Sequence, residues 1–288
     1  MVVGGGPAGL LGALYLARFR RTVLVLDGLQ SRAQSIPRSH NYPGYADGIG
    51  GPDLLHSLRT QVASYPIDVC PLRADSLSTL PAGFRVGWAN GEAQARLVLM
   101  ATGASDIEPE MPYVAQAVRD GALRYCPVCD GHEVIDKAIG VLVGGAAGVR
   151  EALYIRHFSE HVTVFLVPGA GLSHAEQAQL GAASITVASG PVRSVRLWKG
   201  RVTVRHGDSE TVCDTVYSAL GMRIHSGLAT DLGAAVDESG YLQTDGHQQT
   251  TVAGLYAAGD VASGLNQISV AFGNAAVAAA AMHKALLG

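Results

Sequence analysis

Charge, aromatic rings and cysteine are all scarce in this chain. Only 16% of its 288 residues are charged, and 21 Lys and Arg stand against 24 Asp and Glu for a formal net charge of −3. That balance excludes the broad basic face that a nucleic-acid partner needs. The one compact basic group, Arg18, Arg20 and Arg21, reads as the solvated end of a helix. Aromatics supply 6% of residues, so alanine-rich helices must fill much of the interior. Four cysteines make an unlikely structural framework, and a close pair in a reducing compartment is more often catalytic or metal-binding. The longest apolar stretch, 268–282, is interrupted by Ser269, Gly273 and Asn274 and is too short to span a bilayer. The start shows no charged leader before a cleavable apolar stretch. The expectation is a soluble, cytoplasmic protein with no nucleic-acid or membrane partner.

What the chain has in excess is glycine, 36 of 288 residues against an average of about 7%. No repeat period accompanies it. The glycines cluster in turns after apolar runs, which is how an α/β protein brings its backbone close to a nucleotide. The length favours two domains of roughly 100 to 150 residues each.

The opening reads as strand, glycine turn, helix and strand: Met1 to Val3, then Gly4-Gly5-Gly6-Pro7-Ala8-Gly9, a helix through Arg18, and a strand from Thr22 to Leu26 ending at Asp27. A glycine triplet in that setting, with an acid about 20 residues on, is a dinucleotide fingerprint. Gly4 permits the tight turn, Gly6 lets backbone N–H groups approach a pyrophosphate, and Gly9 allows close helix packing, while Asp27 would accept from a ribose. Only Val2 and Val3 precede the glycines, so the first strand reads as clipped and further chain before Met1 is expected. A second start lies at 139–145, with a helix from about Val149 and a strand from His161 to Val167. Strands are also expected at 86–88 and 95–100, a meander at 192–198, 201–206 and 211–217, a buried strand before Gly259 and Asp260, and a final helix from about Gln267.

Between the two glycine turns lies Cys126-Pro127-Val128-Cys129, followed by Asp130 and Gly131. Sulfurs at this spacing can cycle between dithiol and disulfide. A zinc site needs about four ligands, and no second cysteine pair exists; Cys70 and Cys213 are isolated and read as small buried hydrophobes. An inert pair and a zinc pair remain the alternatives to redox chemistry. Asp130 could exchange protons with the thiols, or simply serve a turn. His40, before the turn Asn41-Tyr42-Pro43-Gly44, reads as structural more readily than catalytic.

Taken in order, GGGPAG at the start, NYPGY at 41–45, ATGA at 101–104, CPVCDG at 126–131, VGGAAGVREAL at 143–153 and GLYAAGD followed by LNQISVAFGNAA resemble the low-molecular-weight thioredoxin reductases and their relatives among FAD-dependent disulfide oxidoreductases. The resemblance covers nearly the whole length. It implies an α/β protein of two Rossmann-like, three-layer domains, the second inserted into the first. Residues 1–113 and 222–288 would form the FAD domain, and 114–221 a pyridine-nucleotide-type domain carrying the cysteines. It further implies a homodimer acting on a thioredoxin-like protein or a small-molecule dithiol or disulfide. By matching position, Cys129 would contact the flavin, Cys126 would meet the substrate, and Asp130 would act as acid and base. Gly4, Gly6, Pro7, Ala8, Gly9, Asp27, Asn41, Thr102, Gly103, Gly259 and Asp260 would bind FAD, with Gln267 and Ile268 at the isoalloxazine edge. Gly144 and Gly145 would form a weak nicotinamide site, and no metal is expected.

The departures bear on the electron partner. After the strand ending near Val167, NADPH-dependent relatives usually carry a His-Arg-Arg cluster for the 2′-phosphate, whereas this chain has Val167-Pro168-Gly169-Ala170-Gly171. Ala146 stands for a third glycine, Val149 for a small alanine, and Asn266 for an arginine. Use of NAD(P)H is therefore left open. Related flavin dithiol oxidases, which form disulfides in small natural products and reduce oxygen to peroxide, give the alternative reading; a flavin redox sensor without turnover gives another.

Overall fold

The computed structural model describes residues 1–262 and 264–288. The chain forms two compact units: residues 1–34, 50–105 and 224–288 make the first, and residues 35–49 and 106–223 the second.

In the first unit a parallel sheet runs in the order Leu255–Ala257, Val98–Met100, Val2–Val3, Val23–Leu26, Ile67–Cys70. Side chains of successive strand residues alternate between its two faces. Val2, Val25 and Leu99 face a core shared with Ala13 and Ala17 of helix Pro7–Arg18 and with Ala275, Ala278 and Ala279 of helix Ile268–Ala285. Small residues bring this layer close: a Cβ on Gly12 would lie 2.6 Å from Leu99 Cδ2. Val3, Leu26 and Met100 face the opposite way, toward Leu77, Phe84 and Val86 of an antiparallel sheet built from Ala74–Leu80, Gly83–Trp88 and Gly91–Ala95. The unit thus has three layers.

The second unit repeats the plan. Its parallel sheet runs Thr186–Val187, Val162–Leu166, Ile139–Val143, Thr215–Ala219, Leu123–Arg124. Val141, Val143, Val164 and Tyr217 pack against Val149, Ala152 and Ile155 of helix Ala146–Ile155 and Leu180 of helix His174–Ala182. Leu142, Phe165 and Val216 pack against Val195, Val202 and Val204 of the antiparallel strands Val192–Trp198, Arg201–His206 and Ser209–Cys213.

Several sequence expectations shift. The single strand expected at 95–100 divides between Gly91–Ala95 and Val98–Met100, in different sheets. The expected strand 211–217 breaks at Asp214, whose backbone N–H donates to the Ala138 carbonyl at 2.8 Å and whose Oδ2 accepts from the Ala138 N–H at 2.9 Å. The chain enters the main stretch of the second unit at 105/106 rather than 113/114, because the Ile107 N–H donates to the Gly221 carbonyl and the Ser218 hydroxyl to the Ile107 carbonyl. The return falls at 223/224 rather than 221/222. Residues 35–49 group with the second unit, held by His40 Nδ1 to Glu133 Oε1 at 2.9 Å and by Asn41 Nδ2 donating to the Val128 carbonyl at 3.3 Å. His40 here is a tie.

Candidate active site

Within the first unit, the register pairs Val3 with both Leu26 and Met100, and Met100 with Ala257. The segments that leave these strands therefore share one sheet edge, the carboxyl edge at which open α/β sheets bind ligands. Gly4 to Gly9, Asp27, Thr102 with Gly103, and Gly259 with Asp260 all lie there. Gly4 has φ +114°, and a Cβ on it would sit 2.1 Å from the Ala101 carbonyl oxygen; one on Gly9 would sit 1.9 Å from the Gly4 oxygen. The turn is thus drawn tight and its helix close. Gly6 caps helix Pro7–Arg18 without a side chain over the cap, and Pro7 begins it. The first-turn N–H groups have no intrahelical partners, and with the helix dipole they suit a diphosphate.

Asp27 is 2% exposed. Its Oδ1 accepts the Leu29 N–H at 2.9 Å and its Oδ2 accepts from Arg59 Nη2 at 3.2 Å. An ionised carboxyl has about four acceptor positions, so capacity remains for ribose hydroxyls. Arg59 gives no sequence signal, since it stands 32 positions away on another helix. Two further residues went unnoticed in the sequence. Arg32 Nη1 pairs with Asp260 Oδ2 at 3.5 Å. His225 donates its N–H to the Gly103 carbonyl at 3.0 Å, and its own carbonyl accepts from Thr102 Oγ1 at 2.7 Å. Gly259 has φ +79°, and a Cβ there would lie 2.9 Å from Ala8 Cβ. Gln267 is the N-cap of helix Ile268–Ala285, whose first turn holds no acid. These features fit FAD: a cradle that Cβ atoms would fill, donors for its diphosphate, and a buried carboxylate for its ribose.

In the second unit, Tyr217 pairs in register with Arg124, and Val143 with Ala219. The cysteine segment therefore leaves the same sheet edge as the second glycine turn. Cys126 and Cys129 are joined as a disulfide with Cα atoms 5.2 Å apart. Cys126 caps the short helix Pro127–Asp130, and its Sγ accepts the Cys129 N–H at 3.2 Å, a contact that favours negative charge on Cys126 once the bond opens. Gly131 follows because a Cβ would lie 2.5 Å from the Phe158 ring. Asp130 is held at both oxygens: Oδ2 accepts from Arg124 Nη1 at 2.6 Å and Oδ1 from the Tyr217 hydroxyl at 2.7 Å. Burial raises the Asp130 carboxyl above the ordinary carboxylate range, and the Arg124 guanidinium and the Tyr217 hydroxyl offset only part of that rise. Burial also pushes the Tyr217 phenol far up, so Tyr217 stays neutral and donates.

The second glycine turn differs from its sequence reading by one position. Gly148, rather than Val149, makes the close helix–sheet contact, since a Cβ there would lie 2.8 Å from the Ala219 carbonyl oxygen. The helix begins at Ala146 rather than Val149. Val143 is the last residue of its strand, paired with Leu166 and Ala219, so Gly144 leaves the strand and Gly145 caps the helix. Gly145 has extended φ of 170°, and a Cβ on it would meet nothing within 4 Å. Among the described residues no cluster of three or more His, Cys, Asp or Glu could hold a metal ion, and no helix is long and apolar enough to cross a membrane.

Residues 1–275 match the pyridine nucleotide-disulphide oxidoreductase family. A thioredoxin reductase from Treponema pallidum is 29% identical over 97% of this chain and 94% of its own. Among solved structures, HlmI superposes with a TM-score of 0.90 at 30% identity, over 99% of this chain and 91% of that one. A thioredoxin reductase from Streptococcus pyogenes gives a TM-score of 0.90 at 26% identity, over 99% and 97%. This chain therefore belongs to the pyridine nucleotide-disulphide oxidoreductase family, as a thioredoxin reductase-like flavoprotein disulfide oxidoreductase of two Rossmann-like domains whose cofactor is FAD.

Proposed function

We propose that this protein moves two electrons between FAD and a substrate dithiol or disulfide through Cys126 and Cys129, with Asp130 as the acid and base for the sulfurs. The observation that carries this reading is the Cys126–Cys129 disulfide with a doubly held carboxyl directly after it. The glycine-lined edge and Asp27 of the first unit hold FAD in this reading, together with Asn41, Thr102, Gly103, Gly259, Asp260, Gln267 and Ile268. Bound FAD supplies a two-electron donor or acceptor. In the oxidising direction Asp130 takes the proton of a substrate thiol, and the thiolate attacks Cys126 Sγ. The Cys126–Cys129 bond breaks, and its electron pair leaves on Cys129. The second substrate thiol then displaces Cys126, so the substrate departs as a disulfide and the enzyme keeps a dithiol. Reduction of a disulfide is the same sequence reversed. Val128, 45% exposed between the cysteines, leaves the segment open to a thioredoxin-like protein or a small molecule. The family resemblance supports a homodimer, and the close cysteine pair without a wider framework supports a reducing, cytoplasmic setting.

The segment after strand Val162–Leu166 favours the dithiol-oxidase reading, with oxygen as final acceptor, over NADPH-driven reduction. No cation lies in 167–171. A 2′-phosphate left without a cationic partner forfeits charge-assisted hydrogen bonds of about 1.5–3 kcal/mol each.

The cysteine route is tested by mixing the yellow protein anaerobically with dithiothreitol. Wild type is expected to bleach, while Cys126→Ser and Cys129→Ser stay yellow over the same interval. Bleaching of Cys129→Ser at the wild-type rate would exclude this route.

A further inference from the structure

Asp130 lies among more charged neighbours than its sequence position indicates. Arg124, at the end of strand Leu123–Arg124, reaches Oδ2; Tyr217, from strand Thr215–Ala219, reaches Oδ1. Glu133, in the turn His132–Val134, adds negative charge nearby, and Glu151, in helix Ala146–Ile155, lies close enough for Asp130 to help keep it protonated. The Glu133 carboxylate is engaged by His40. Arg124 is thus the cation paired with Asp130, and its side chain is only 15% exposed. Its Nε donates to the Gly121 carbonyl at 3.1 Å, which leaves the guanidinium aimed at the carboxyl. The Arg124–Asp130 contact is charge-assisted and only partly open to solvent, the setting in which an ion pair controls protonation rather than merely decorating a surface.

We propose that Arg124 is a positioning residue that holds Asp130 as a carboxylate, so that the site is set to take protons from incoming thiols and to consume a substrate dithiol. The proposal rests on the acid–base role given to Asp130 above. A carboxylate is a competent base toward a thiol and a poor acid toward a departing thiolate, which is why the pairing bears on direction. In the step concerned, the substrate S–H proton passes to Asp130 and the new thiolate bonds to Cys126 Sγ. The enzyme disulfide is the oxidant, and Cys129 leaves with the electron pair. Without the guanidinium, burial and Glu133 favour the neutral acid, and the protonation curve of Asp130 moves upward.

The experiment follows opening of the enzyme disulfide by dithiothreitol, read by alkylation of Cys126 and Cys129 and mass spectrometry, across pH 5 to 9. It uses holoprotein of wild type, Arg124→Met, Arg124→Lys and Asp130→Asn. Dividing each variant's rate by that of wild type cancels the ionisation of dithiothreitol itself. For Arg124→Met the expected ratio is near one at pH 9 and falls at least about tenfold by pH 6, while Arg124→Lys recovers most of the loss. A ratio that is flat with pH, whether near one or uniformly reduced, overturns the proposal, because a merely structural role has no pH signature. Asp130→Asn separates the two levels. If it opens as fast as wild type at every pH, the acid–base role itself fails, and the Arg124 proposal with it. If it is slow while Arg124→Met shows no pH dependence, only the Arg124 proposal fails.

Discussion

Glu151 shows how much a single side chain records of its surroundings. Its Oε1 is buried with no hydrogen-bond partner among the described residues. Burial, with Asp106 and Asp130 adding to the effect, pushes its carboxyl from 4.5 up to about 7. Between those values the folded protein holds a proton that the unfolded chain has lost, so stability falls as pH rises through that window. Below it there is no difference, and above pH 7 the full cost applies, on the order of 3 kcal/mol. Glu151→Gln is therefore expected to raise the thermal unfolding midpoint at pH 8, with the gain shrinking as pH falls toward 5. An equal gain at both pH values would show that packing, not charge, is responsible. The partners of Asp130 belong to this scale too. Cys126, Cys129 and Asp130 could be singled out as candidates because they stand in one short run of sequence. Arg124 and Tyr217 were not, because Tyr217 stands 87 positions from Asp130 and only the parallel register of the sheet brings it there.

At the level of elements, the two glycine turns look alike in sequence and behave differently in the fold. The first was the easier to read, because Gly4, Gly6 and Gly9 stand at the fingerprint spacing and Gly4 and Gly9 are sterically required. The second misled, because the adjacent Gly144 and Gly145 conceal which position starts the turn, and only the Gly148 contact with Ala219 reveals the phase. This contrast is measurable. Gly4→Ala forces a side chain into left-handed backbone and against the Ala101 carbonyl, with an expected cost on the order of 2–4 kcal/mol and loss of bound flavin. Gly145→Ala meets open space in extended backbone and is expected to leave flavin content unchanged and stability within about 0.5 kcal/mol. Flavin absorbance per protein and the unfolding midpoint decide both; loss of flavin from Gly145→Ala alone would reverse the assignment. The break at Asp214 escaped the sequence for a related reason. Thr211 to Tyr217 carries an unbroken strand pattern, and the pairing that divides it comes from Ala138, 76 positions away.

For the molecule as a whole, family membership fixes the fold, the cofactor and the class of chemistry, and leaves the electron partner to this chain's own residues. Those residues point one way. The second unit offers a 2′-phosphate no cation at 167–171, and in the reading proposed above Arg124 holds Asp130 ready to take thiol protons. The most direct test is to mix the oxidised yellow protein anaerobically with NADPH, NADH or dithiothreitol in separate runs, compare initial rates of flavin bleaching, and then admit air and assay peroxide. Dithiothreitol is expected to bleach the flavin at least about tenfold faster than NADPH, in line with one lost charge-assisted contact or more, with peroxide formed on aeration. Bleaching by NADPH as fast as by dithiothreitol would contradict it.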